Sequence, residues 1–198
     1  MQLSLLSEHH DIQVPQIQGL HYYPDFISVQ IEQKLITTID QQPWLPDLKR
    51  RVQHYGWRYD YKARTVTDDL YIGALPDWLR SIAKQMYEAG IFTVMPDQVI
   101  INEYQPGQGI AAHIDCQPCF GETIASLSLG SNCVMELSNH SKKLPIMLEP
   151  LSLLTLTDDA RYLWKHAIAS RKSDQWNGVK IMRERRISLT FRTVIRHR

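Results

Sequence analysis

Apolar positions follow two rhythms along this chain. Before residue 90 they recur at helical spacing, and after it they alternate in short runs. Ile31, Leu35 and Ile39 repeat every four residues with Ile36 alongside, which predicts a helix over 28–42, stopped by Pro43 and Pro46. Leu79, Ile82, Ala83 and Met86 form a second stripe. It predicts a helix over 76–89, with proline at its start and Gly90 just past its end. Residues 19–27 read as a short strand and turn, and 53–64 (QHYGWRYDYKAR) as an aromatic, basic loop or strand. From residue 98 the expected strands are 98–104, 110–115, 123–129, 133–137, 145–148, 152–157, 162–168 and 186–194, most of them bounded by turn residues. Eight short strands without intervening helices predict two antiparallel sheets in a jelly roll. The expected fold class is thus mostly β with N-terminal helices (α+β). Residues 170–179 read as a loop near the mouth of a cavity.

Composition adds bounds rather than shape. The 198 residues are 43% apolar and 22% charged, the balance of a soluble protein with one core. Residues 1–18 read as an N-terminal extension and 19–198 as one domain. Within it, 19–97 supplies helical support and a substrate-facing segment, and 98–194 the jelly-roll core. No run is long enough for a membrane-spanning helix, and Met1–Val14 lacks the basic start and apolar stretch of a secretory signal. Three cysteines, an odd and low number, argue against a disulfide scaffold and for a reducing, cytoplasmic setting. The formal charge of +1 conceals two basic tracts. Residues 49–64 carry six basic side chains against Asp60, and residues 161–198 carry eleven against Asp174 and Glu184. On one face they would suit a polyanion; scattered and solvated, they would not.

His113 and Asp115 stand two apart on an expected strand, so they share a face. His166, about fifty residues on, can return to the opposite wall of the same cavity in a jelly roll. Two imidazoles and a carboxylate on one triangular face leave positions open, as in non-haem Fe(II) oxygenases. The run Arg186–Arg192 (RISLTFR) alternates strictly. Arg186, Ser188, Thr190 and Arg192 share one face; Ile187, Leu189 and Phe191 share the other. The two guanidiniums would lie roughly 20 Å apart on an extended strand, and each offers a planar fork for a carboxylate. Asn102 and Tyr104 share a face upstream and can donate to the same kind of group. Arg50, Arg51, His54, Tyr55, Trp57, Arg58, Tyr59 and Tyr61 mix cations with aromatics, a combination that contacts phosphates and stacks on unpaired bases. The alternative is that Trp57 and its neighbours pack the helices against the sheet.

Taken together, Asn102–Gly107 (NEYQPG), His113-Ile-Asp115, Thr123–Ser131 (TIASLSLGS), Arg161–His166 (RYLWKH) and Arg186–Arg192 resemble, in order and spacing, the AlkB family. These are Fe(II)- and 2-oxoglutarate-dependent dioxygenases built on a double-stranded β-helix. The likeness spans about 98–194 and, more loosely, back to residue 19. Leu48–Gly56, Pro96–Gln98, Glu103–Ile110 and Ala125–Ser131 look most like the AlkB-like domain of the animal tRNA wobble-uridine hydroxylase. The resemblance implies His113, Asp115 and His166 as iron ligands. It puts Arg186 on the distal carboxylate of 2-oxoglutarate and Arg192 at the end near the metal, with Asn102, Tyr104 and Ser188 completing the pocket. The cofactors implied are Fe(II), 2-oxoglutarate as co-substrate, and O2.

The implied reaction oxidises a C–H bond on a nucleic-acid base, either demethylating alkylated DNA or RNA or hydroxylating a tRNA modification, and releases succinate and CO2. The implied partner is RNA or DNA, tRNA included, with no membrane, and the protein is expected to be a monomer. Substrate contacts are expected from Arg50, Arg51, Trp57, Arg58, Tyr59, Tyr61, Gln117 and Arg161. Gln117 stands where repair members often carry an acidic residue. Three other readings remain: a small-molecule or protein hydroxylase on the same scaffold, a non-catalytic nucleic-acid-binding module, and a zinc protein using Cys116, Cys119 and Cys133.

Overall fold

A computed structural model describes residues 13–46, 50–140 and 142–196. Most of the expected N-terminal extension, and Leu48 and Lys49 of the basic segment, lie outside the described residues. Helix α1 (Val29–Asp40) starts where Ser28 accepts a hydrogen bond from the Ile31 amide, and it buries Leu35 and Ile39. Ile31, in the first turn, is 37% exposed and leaves the stripe. Helix α2 (Asp77–Glu88) buries Leu79, Ile82, Ala83 and Met86. Both helices pack on one face of a six-stranded antiparallel sheet. Its order is β1 (Leu20–Tyr23), β8 (Leu153–Leu156), β5 (Ile124–Gly130), β12 (Arg186–Arg192), β3 (Gln98–Tyr104) and β2 (Val52–Tyr55).

Alternation decides which residues meet the helices. Ile187, Leu189 and Phe191 of β12 join Val99, Ile101, Ala125 and Leu127 in that core. The opposite faces of β12 and β3 turn toward a second sheet: β4 (Ile110–His113), β9 (Lys165–Ile168), β6 (Cys133–Asn139) and β7 (Lys142–Leu148). Met135, Leu137, Ile146 and Leu148 face Ile124, Leu154 and Leu156 across the gap. This is the expected jelly roll, with its cavity between the sheets.

Three local expectations change. Strand β4 ends at His113, so Asp115 lies in the irregular chain beyond it. The strand expected over 162–168 starts only at Lys165, because a short helix, α3 (Asp158–Tyr162), takes up the chain between the two expected strands and includes Tyr162. The entry to α3 packs against Gly19, where a Cβ would lie 2.1 Å from the Thr157 carbonyl oxygen, so a side chain is excluded there. The expected loop at 170–179 is largely the hairpin β10 (Ser173–Trp176) and β11 (Val179–Met182). Asn177 and Gly178 both take positive φ, as a two-residue hairpin turn requires. Buried Asp174 pins the hairpin by accepting from Arg171, Arg183 and the Val134 amide.

Candidate metal centre and co-substrate cavity

His113 and His166 are direct cross-strand partners in the β4–β9 pairing, with ring centroids 4.3 Å apart. The second imidazole therefore comes from the neighbouring strand, not from the opposite wall. One donor atom from each of His113, Asp115 and His166 lies within 4.8 Å of the others. Among the described residues no other group of His, Cys, Asp and Glu is so placed.

Several features suit this set to Fe(II). His113 Nδ1 is 2.8 Å from the Ala111 carbonyl oxygen. Donation there leaves Nε2, 3.7 Å from Asp115 Oδ1, with its lone pair toward the cluster. Burial pushes the His166 imidazole down to about 4, against the pull of the Asp115 carboxylate, so its neutral form prevails near pH 7. Burial alone would raise the Asp115 carboxyl. The Arg192 guanidinium, the two imidazoles and Arg161 outweigh that and hold it below the usual carboxylate range. Two neutral imidazoles and one carboxylate on one side of an ion are the donor set that divalent iron takes in its oxygenases.

This arrangement predicts acid sensitivity in the metal-free protein. An unfolded chain protonates a histidine near pH 6.5, whereas folded His166 holds out to about 4. The unfolded state then takes up the proton first, and the fold loses stability as the pH falls through that interval. Melting temperatures of chelator-treated wild type should fall more steeply from pH 7 to 4.5 than those of His166→Gln. Parallel curves would show that this imidazole does not set the slope.

Behind the triad, Arg161 is 1% exposed. Its guanidinium donates to the carbonyl oxygens of Asp115, Cys116, Phe120 and Gly121. It holds the loop that carries the carboxylate ligand and lies off the cavity wall, correcting its expected substrate role. Arg192 donates to both Asp115 oxygens at 3.3 and 3.4 Å and to Gln98 Oε1.

The cavity has a volume of about 390 Å³. His113, Asp115 and His166 line it together with Arg186, Ser188, Thr190 and Arg192, the polar face expected of β12. Asn102 and Tyr104 line it from β3. Arg186 donates to Ser128 Oγ, while its Nε is buried with no hydrogen-bond partner. A buried guanidinium N–H without an acceptor is costly, and a carboxylate in this cavity would satisfy it. Ser126 and Ser188 hydroxyls meet at 2.9 Å beside it. The donors present thus fit a keto diacid next to the metal.

The substrate-facing segment divides. Arg50, Tyr59 and Tyr61 line the cavity, the two tyrosines edge to face at 5.1 Å. Arg51 lies on the other face of β3, gripping Glu103 through two hydrogen bonds and stacking over Trp44. Trp57 is 5% exposed and packs against Tyr71, the core alternative. Arg58 and Gln117 are exposed and off the wall, with Gln117 donating to the Tyr162 carbonyl. Arg64 lines the cavity although no spacing singled it out. Gln98 was missed too, yet it shares the face of Asn102 and Tyr104 by simple alternation. Within the C-terminal basic tract, Arg161, Arg183, Arg186 and Arg192 are buried and Arg171 and Arg185 are paired with acidic side chains, while Lys165, Lys172, Lys180 and Arg196 are exposed.

Cys116 and Cys119 form a disulfide, contrary to the expectation from cysteine count. The tight turn in which the Cys119 and Phe120 amides both donate to the Cys116 carbonyl brings them together. Cys133 is free and buried among apolar side chains, so the three do not converge as zinc ligands.

Comparison with known proteins agrees with this geometry. The profile of the 2OG-Fe(II) oxygenase superfamily matches residues 19–192. The chain is 35% identical over 206 residues to the Arabidopsis thaliana "Alkylated DNA repair protein ALKBH8 homolog", covering 91% of this chain and 60% of that protein. It is 39% identical over 168 residues to the Macaca fascicularis "tRNA (carboxymethyluridine(34)-5-O)-methyltransferase ALKBH8", covering 79% of this chain but 25% of that much longer protein. In fold it matches the solved structure of OsALKBH1 with a TM-score of 0.70 at 18% identity, over 92% of this chain and 99% of that one. No described helix is long and apolar enough to cross a membrane. Profile, jelly roll and donor set lead to one conclusion: this chain belongs to the 2OG-Fe(II) oxygenase superfamily, the dioxygenases that use Fe(II), 2-oxoglutarate and O2.

Proposed function

We propose that this dioxygenase oxidises a C–H bond on a nucleic-acid base. The observation that carries the reading is the cavity itself: the triad lines the same space as the Tyr59–Tyr61 pair and the Arg64 cation. Aromatic edges and faces accept a base removed from its stack, and a guanidinium suits a flanking phosphate. The relatives named for alkylated-DNA repair and tRNA modification support this class of substrate.

Fe(II), 2-oxoglutarate and O2, when bound, supply the oxidising power, with succinate and CO2 as co-products and one oxygen atom delivered to the substrate. The protein's own residues bind and orient. His113, Asp115 and His166 would hold the metal through two imidazoles and one carboxylate, a three-ligand set that would leave room for reactants. Arg192, hydrogen-bonded to the Asp115 carboxylate, keeps it in its charged form; Arg161 adds its charge and grips the Asp115 backbone carbonyl. Arg186, Ser188, Asn102 and Tyr104 receive the diacid. Tyr59, Tyr61 and Phe120 supply an apolar wall that excludes water from the reacting carbon. No side chain here has to transfer a proton to the substrate. An N-methyl carbon that gains a hydroxyl leaves as formaldehyde, the C–N bond breaking and the hydroxyl proton ending on the nitrogen; a side-chain carbon keeps the hydroxyl.

The test supplies purified protein with Fe(II), ascorbate and 2-oxoglutarate. Single-stranded RNA and DNA oligonucleotides carrying N-methylated bases or a 5-substituted uridine are offered in turn. Succinate should rise with one class of oligonucleotide, together with a base mass changed by loss of CH2 or gain of oxygen. Succinate formation unaffected by every oligonucleotide, with no base altered, would remove nucleic acid from the reading.

A further inference from the structure

Arg50 lines the cavity, yet its contacts point inward to the co-substrate wall. Its Nε donates to Asn102 Oδ1 at 2.8 Å, and its guanidinium carbon lies 5.6 Å from the Tyr104 ring centroid. Arg186 lies at the same distance from that ring. Arg50 reaches this place because the next residue is clamped. The Arg51 carbonyl accepts from the Glu103 amide, the Arg51 guanidinium grips the Glu103 carboxylate, and Val52 pairs with Asn102 in the β2–β3 register. Adjacent arginines therefore hold β3 from its two faces, one at Glu103 and one at Asn102.

The bond to Asn102 carries information that its length alone does not. A guanidinium has only donors, so the side of the amide that meets Arg50 must be the oxygen. The NH2 group is then left for an acceptor. Asn102 is 7% exposed and lines the cavity beside Arg186, whose buried Nε has no partner. A carboxylate needs donors on every side that it presents. With Arg50 absent, nothing in this contact would prevent the amide from turning its oxygen toward the bound acid.

We infer that Arg50 is a positioning residue of the co-substrate pocket: it fixes the Asn102 amide with its NH2 turned to the 2-oxoglutarate carboxylates, rather than contacting the nucleic acid. This rests on the reading of Asn102, Tyr104 and Arg186 as the diacid pocket.

Calorimetry of 2-oxoglutarate binding to the full chain loaded with Mn(II), without nucleic acid, tests it. Arg50→Ala should weaken 2-oxoglutarate about tenfold. Arg50→Lys keeps a donor and a charge without the rigid fork; it should weaken binding about threefold, and it keeps the test alive if the alanine variant does not fold. In an Asn102→Ala background, Arg50→Ala should add less than a twofold loss, because the amide through which it acts is gone. An equal loss in both backgrounds would overturn the positioning role. So would unchanged 2-oxoglutarate affinity accompanied by weaker RNA binding with a shallower salt dependence, the mark of a phosphate contact. Failure of the wild-type arm to bind 2-oxoglutarate would instead bring down the pocket assignment itself, and this inference with it.

Discussion

His113→Ala and His166→Ala should each lower Fe(II)-dependent succinate formation by at least about 100-fold. Loss of a partner behind a metal ligand already costs ~10–100-fold, and these changes remove the ligand itself. The paired register of His113 and His166 makes the effect symmetric: either change leaves one imidazole and one carboxylate, a weaker site that can shift on the ion. Equilibrium dialysis with Fe(II) under anaerobic conditions should show the metal lost together with turnover. Thermal melts of the metal-free proteins separate this from unfolding, since both side chains sit at the cavity rather than in the apolar cores. A variant that keeps full metal affinity would show that the ion binds elsewhere.

Arg161→Met should destabilise the fold by about 3–5 kcal/mol. Four carbonyl oxygens from residues 115–121 converge on this one guanidinium. Methionine matches much of its length but offers no donor, and each buried carbonyl left without a partner costs on the order of 1–3 kcal/mol, reduced where the loop relaxes toward water. For a chain of this size the expected fall in melting temperature is on the order of 10 °C. Iron affinity should fall as well, because the freed loop carries Asp115. Had Arg161 been a nucleic-acid contact, the same substitution would leave the melting temperature unchanged and weaken oligonucleotide binding. A melting curve therefore decides between the two roles.

Much of the architecture was legible locally. The strict alternation of Arg186–Arg192 assigned four polar residues to one face and three apolar residues to the other, and the cavity and the helix-packed core divide them in that way. Both long helices lie within a residue or two of their expected bounds, because the Ser28 cap, a proline at the start of the second helix and the apolar stripes are local signals. The hairpin at 173–182 was hidden because Ser-Asp-Gln-Trp has no apolar rhythm. Only Asn177-Gly178 marks it, and the contact that anchors it to β6, the Val134 amide donating to the Asp174 carboxylate, joins residues 40 apart in sequence. In the substrate segment the mixture of cations and aromatics was visible, but not its division: Tyr59 and Tyr61 face the cavity, while Trp57 packs inward and Arg51 binds Glu103.

What the sequence determined by itself is the side of each strand on which a residue stands and the chemistry that it brings there: two imidazoles, a carboxylate, and a strand with arginine at both ends. Those follow from a two-residue period, which is a property of the backbone alone. Tertiary structure decided which strands became neighbours, and so placed His166 directly across from His113. It also decided which charges were spent inside the molecule. A guanidinium on the surface and one in the core are the same letter in the sequence. Their difference is desolvation: a buried one must find acceptors, and Arg161, Arg183 and Arg192 found theirs on carbonyls and carboxylates tens of residues away or across a turn.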